Sequence, residues 1–101
     1  MRFEWDPAKD RSNREKHGLS FDEATELFGA GVDYLEIYDE EHSEEEDRYI
    51  AVGPIKRGVI VVAYTEREDN VLRIVSARMA TKKERQRYET FKVGKDERRD
   101  S

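Results

Sequence analysis

The chain predicts a single α+β domain, an antiparallel sheet with two N-terminal helices and a C-terminal helix. Three observations lead there. With 101 residues there is room for one core. The apolar residues gather in strand-like runs such as Val59-Ile60-Val61-Val62-Ala63-Tyr64. Two Ser/Thr-x-x-Glu boxes, at Ser20 and Thr81, mark helix starts on either side of those runs. Only 36% of residues are hydrophobic and 43% are charged, a balance that in a uniform chain favours disorder. The clustering of the apolar residues argues against it.

A short first strand is expected over Arg2 to Trp5, with Trp5 anchoring the core. Asp6-Pro7 opens a helix, Asp as N-cap and Pro at the first helical position, where its missing N–H costs nothing. That helix ends near His17, and Gly18 supplies the left-handed turn that closes it. Ser20 and Glu23 cap a second helix whose buried stripe is Phe21, Ala24, Leu27 and Phe28, ended by Gly29-Ala30-Gly31. The period then changes to that of strands. Val32 to Tyr38 is expected as one strand. Arg48 to Gly53 and Gly58 to Arg67 form a hairpin around Pro54-Ile55-Lys56-Arg57, and Val71 to Arg78 returns after Glu68-Asp69-Asn70. The strands from Val59 and Val71 carry apolar residues at both parities, so both belong in the middle of the sheet, covered on two faces. Thr81 and Glu84 open the last helix, which carries Tyr88 and Phe91. The domain is expected to span residues 1–93, with 94–101 a charged, frayed tail.

There is no cysteine, so neither a disulfide nor a thiolate metal site is available. No apolar stretch approaches the ~20 residues of a membrane span, and Met1-Arg2-Phe3-Glu4-Trp5 lacks a signal-peptide core. A cytoplasmic protein without a membrane partner is the expectation. The net charge of −5 speaks against a nucleic-acid partner. However, eight acids lie between Glu36 and Asp47 with no Lys or Arg among them. Without them the chain has 24 − 8 = 16 acids against 19 bases, a balance of +3. The acidic run reads either as a solvated loop or as a docking surface for a basic partner.

The elements carry a recognisable set of residues in order. Phe3-Glu4-Trp5-Asp6-Pro7-x-Lys9 leads to Asn13, Lys16-His17-Gly18-Leu19-Ser20-Phe21, Glu23-Ala24 and Phe28. Further on come Asp39-x-x-His42-Ser43, Arg48-Tyr49, Gly53, Tyr64-Thr65-Glu66-Arg67, Arg73-Ile74-Val75-Ser76-Ala77-Arg78, Ala80-Thr81, Glu84-Arg85 and Tyr88. Over about residues 2 to 90 the chain resembles the BrnT toxins. One departure is Gly29-Ala30-Gly31, where the family usually places an acidic residue. The resemblance implies a fold similar to the RelE ribonucleases and metal-independent cleavage of RNA that inhibits translation. It also implies a BrnA-like ribbon-helix-helix antitoxin as partner, with operator DNA reached only through that antitoxin. The alternative is a non-catalytic binding module that co-represses transcription with its antitoxin.

Metal-free RNA cleavage needs a base for the ribose 2′-OH, an acid for the leaving 5′ oxygen, and charge stabilisation at phosphorus. Arg suits the last role, being permanently charged with a planar fork that grips phosphate oxygens. His17 and His42 are far apart and lack a metal-ligand spacing, and no cofactor motif is present. The first helix has only Pro7 and Ala8 as apolar residues, so no core stripe holds it. Lys9, Asn13, Lys16 and His17 share one of its faces, which reads as a surface for phosphate or antitoxin. Its alternative is a solvated face with His17 satisfied at the helix C-terminus.

If the strands from Gly58 and Val71 pair across Glu68-Asp69-Asn70, Glu66 lies opposite Leu72 and Arg78 opposite Ile60. Arg67 and Arg78 then stand about 24 Å apart at strand rise, too far to share one phosphate. The Arg78 end gathers Lys56, Arg57, Lys82 and Lys83 beside helix-terminal N–H groups that favour anions. That end is therefore expected to bind RNA, with Arg78 stabilising the phosphate and Lys9 or His17 moving the proton. An exposed strand-end Arg78 is expected to contribute little to folding. Glu66 and Arg67 read more simply as an ion pair at a turn, and Tyr88 as a core-edge aromatic.

Overall fold

The computed structural model describes residues 1–99. Five strands form one mixed sheet in the order β1-β5-β4-β3-β2. They are β1 (Arg2–Glu4), β2 (Leu35–Tyr38), β3 (Arg48–Ile55), β4 (Gly58–Arg67) and β5 (Val71–Met79). The helices are α1 (Pro7–His17), α2 (Phe21–Ala24) and α3 (Lys82–Arg99), with α2 continued by a 3-10 turn over Thr25–Phe28. The α+β class with two N-terminal helices and one C-terminal helix is as expected. The sheet departs from expectation in one pair: β1 runs parallel to β5, Phe3 beside Leu72. The other three pairs are antiparallel. The chain leaves β1 through α1 and α2 and re-enters the sheet at β2, on the opposite edge, so β1 is not bound to the hairpin alternation.

The helix ends follow the expected chemistry. Asp6 accepts from the Ala8 N–H, Ser20 and Glu23 form a reciprocal capping box, and Gly18 at φ 66° closes α1. The turn before β5 places Asp69 and Asn70 at positive φ, a conformation these two residue types tolerate. β3 runs two residues beyond the expected Gly53 and tightens the hairpin turn to Lys56-Arg57. Pro54 is allowed in that strand because β2 pairs only as far as Val52, leaving β3 an edge at that point. Gly53 lets the 3-10 turn approach: a Cβ there would stand 2.6 Å from Leu27 Cδ1.

Both faces of β4 are covered, as its dual parity requires. Ile60, Val62 and Tyr64 pack with Leu72, Ile74 and Ala77 against Leu19, Phe21, Ala24 and Leu27. Val61 lies on the other face with Val52, Ala80 and Tyr88 beneath α3. Trp5 meets Phe21 edge-on at the rim of the first cluster, with ring centroids 6.1 Å apart. α3 continues through Gly94 to Arg99, so the segment read as a tail is helical as far as it is described. Asp100 and Ser101, the end of that tail, lie outside the described residues. Among the described residues, no helix is long and apolar enough to cross a membrane.

Candidate nucleic-acid interface at one end of the sheet

The β4–β5 register decides where the arginines point. Near the turn it is as expected, with Glu66 opposite Leu72 and Arg67 opposite Val71. Further along, Ala63 pairs with Ser76 while Tyr64 pairs with Ile74, so Val75 is an extra residue on β5. This bulge moves Arg78 opposite Val61 instead of Ile60. A shift of one residue exchanges the faces of a strand. Arg78 therefore shares a face with Val61 and α3, and Arg73, opposite Thr65, lies on that same face. Without the bulge, five residues of separation would put Arg73 and Arg78 on opposite faces.

At that end, Arg78 makes a bidentate contact with Glu84 of α3, at 2.7 and 2.8 Å. Glu84 also accepts from the Thr81 N–H at 2.8 Å, so Arg78 is part of the α3 cap. The strand-end Arg78, expected to be exposed, is instead part-buried and paired with Glu84. The Arg78 guanidinium holds the Glu84 carboxyl down at about 2, against burial that pushes the other way. A carboxyl lowered by folding adds stability that is complete above its ordinary 4.5 and disappears as pH falls through about 2. The expected result is a melting temperature that drops between those limits, with Glu84→Gln flattening part of the drop. An unchanged slope in Glu84→Gln would show that the pair adds nothing to acid stability.

The β3–β4 turn lies at the same end of the sheet. Lys56 is exposed, and its N–H meets Glu26 at 3.3 Å. Arg57 donates to the Gly18 carbonyl at 2.8 Å and to Glu23 at 3.1 Å, tying the hairpin to the end of α1. That contact lowers the Glu23 carboxyl. His17 and Lys16, in the last turn of α1, are exposed. Lys82 and Lys83 are exposed at the start of α3. Lys9 is exposed one helical turn before Asn13.

Asn13 behaves unlike its helical neighbours. It is buried at 6% exposure, donates to the Leu19 and Ala77 carbonyls at 2.9 and 2.7 Å, and accepts from the Ala77 N–H at 3.1 Å. β1 pairs with β5 only as far as Arg73, so the Asn13 amide supplies hydrogen bonds that a strand neighbour would make. Asp10 adds a bond from the Phe21 N–H at 2.8 Å. The polar helix is thus held by buried hydrogen bonds, which a search for an apolar stripe cannot reveal.

Glu66, Arg67 and Tyr88 lie elsewhere. Arg67 Nε stands 3.5 Å from Glu4 and 3.6 Å from Glu46. Glu66 is exposed on the other face of β4. There burial raises the Tyr34, Tyr49 and Tyr64 hydroxyls, and the Glu36 and Glu66 carboxylates add to it. The Tyr64 hydroxyl donates to Glu36. Tyr88 is 7% exposed, donates to the Asp33 carbonyl at 2.9 Å, and is raised by burial. Sequence reasoning passed over Arg48 and Thr65, neighbours on β3 and β4. Among the described residues, the buried side-chain polar atoms without a hydrogen-bond partner are Arg48 Nε and Thr65 Oγ1.

The architecture has a counterpart among solved structures. It matches the crystal structure of the Brucella abortus ribonuclease toxin BrnT with a TM-score of 0.61 and 24% identity, over 81% of this chain and 99% of that one. The model of the family described as ribonuclease toxin, BrnT, of type II toxin–antitoxin system, matches residues 5–84, and the chain belongs to that family. No curated protein sequence matches it.

Proposed function

We propose that this chain is an endoribonuclease toxin that cuts RNA without a metal ion and thereby arrests translation and growth in the cytoplasm. The observation that carries the reading is the meeting of the Lys56-Arg57 turn, Arg78 and the start of α3 at one sheet end, in a chain of a ribonuclease-toxin family. RNA would lie along this rim against Lys16, Lys56, Arg57, Lys82 and Lys83. Arg78 would stabilise charge on the phosphorane while Lys9 or His17 moves the proton, leaving a cyclic phosphate. Glu66, Arg67 and Tyr88 take no direct part in this scheme. The partner is a BrnA-like ribbon-helix-helix antitoxin, which alone contacts operator DNA.

A second reading has one observation in its favour. Arg78 and Arg57 already hold the carboxylates of Glu84 and Glu23, as they would in a binding module without chemistry. The test is single-stranded RNA incubated with purified protein in EDTA, alongside expression of the chain alone in a bacterium. Cleavage to cyclic-phosphate ends and growth arrest are expected. Activity lost on chelation and restored by metal would overturn the metal-free mechanism. Intact RNA at high protein concentration would favour the co-repressor module.

A further inference from the structure

We propose that the acidic loop between β2 and β3, with the cavity at its foot, docks a basic segment of a partner protein. The loop lies at the sheet end remote from the Lys56-Arg57 turn, since β3 enters the sheet at Arg48, opposite Thr65. Its base is built. Asp39 N–H donates to the Arg48 carbonyl at 2.8 Å, and Ser43 Oγ accepts from the Arg48 N–H at 2.9 Å. Asp39 also holds the His42 ring at 2.9 Å. Upon this base Glu41, Glu44, Glu45 and Glu46 are exposed and line a cavity of about 480 Å³ whose wall includes Arg48 and Thr65.

The wall states what the occupant must offer. Thr65 is 4% exposed and its Oγ1 has no partner, while the neighbouring Arg48 Nε is a buried donor with none. Burying such atoms unpaired is costly, so a ligand that pairs them gains specificity as well as affinity. A lysine or arginine side chain supplies an N–H for the Thr65 oxygen and a positive charge for Glu41, Glu44 and Glu45, Glu46 being already paired with Arg67. The backbone of the same segment supplies a carbonyl for Arg48 Nε. An RNA phosphate could accept from Arg48, but it would bring negative charge among four glutamates. Charge complementarity therefore selects a basic peptide. The proposal stands whether or not the opposite rim cuts RNA.

The test is fluorescence anisotropy with a labelled oligo-arginine peptide and, separately, a non-cleavable single-stranded RNA. The variants are the triple change Glu41→Gln, Glu44→Gln, Glu45→Gln, together with Thr65→Val and Thr65→Ser. Peptide binding is expected to weaken about tenfold in the triple variant and about threefold in Thr65→Val, with Thr65→Ser behaving as the wild type. RNA binding should be no weaker in any of them. The triple change is confined to exposed side chains and remains informative even if Thr65→Val unfolds. Equal peptide affinity in the wild type and the triple variant would overturn the proposal. So would a folded Thr65→Val that binds peptide normally, or one whose defect is in RNA binding.

Discussion

Arg78→Ala is expected to lower the rate of RNA cleavage by about 10²-fold or more, the usual loss when a charge-stabilising contact is removed from a transition state. The same change also breaks two charge-assisted hydrogen bonds to Glu84, so the variant should be less stable by about 1 kcal/mol, a modest cost for a half-exposed pair. Glu84→Gln separates these effects. It weakens the pair while leaving the Arg78 guanidinium and its charge in place, so it should melt lower and still cleave. Initial rates and thermal melting of both variants decide the matter. If both lose activity together, Arg78 serves the fold of α3 and not the phosphate. Arg67→Ala, altered at the far end of the β4–β5 hairpin, should retain much of its activity. A folded but inactive Arg67→Ala beside an active Arg78→Ala would move the RNA interface to the other end.

How much of this was legible in the sequence depends on where each signal resides. Helix starts and stops were legible because Asp6, Ser20, Gly18 and Thr81 act on backbone groups within a few residues of themselves. The dual parity of β4 was legible because each face of a central strand must be apolar. The bulge at Val75 was not. Nothing in Arg73-Ile74-Val75-Ser76-Ala77-Arg78 marks the residue that drops out of register, and one unpaired residue changed the face on which Arg78 stands. The parallel β1–β5 pair was equally hidden, because it joins segments some seventy residues apart. Arg48 and Thr65 were named only among the motif residues, with no role assigned, since their lack of partners exists only when strands and loop are assembled. The acidic loop was legible as a charge segregation, and what lies at its foot became visible only with strands and loop assembled; peptide binding decides between its two readings.

Asn13→Ala is expected to destabilise the fold by about 3 kcal/mol, the cost of leaving several buried backbone groups unpaired. The change removes the side-chain partner of the Ala77 N–H, the Ala77 carbonyl and the Leu19 carbonyl at once. No apolar stripe on α1 compensates, because its sequence from Pro7 to His17 contains only Pro7 and Ala8 as apolar residues. Loosening should therefore be concentrated in α1 and the adjoining strand edge. It should be detected as faster amide exchange at Ala77 and through α1, with β3 and β4 less affected. Asn13→Asp sharpens the argument. It has nearly the same shape and still accepts from the Ala77 N–H, but it turns a carboxylate oxygen toward two carbonyl oxygens. It should be at least as destabilising as Asn13→Ala, and less so at low pH, where the protonated acid can donate once again. An Asn13→Asp variant as stable as the wild type at neutral pH would mean that the amide does not act as a surrogate strand. With α1 loosened, Lys9, Lys16 and His17 also lose their fixed position beside β5. Cleavage should then fall with exchange protection in Asn13→Ala if α1 supplies the proton-transfer group, and persist if it does not.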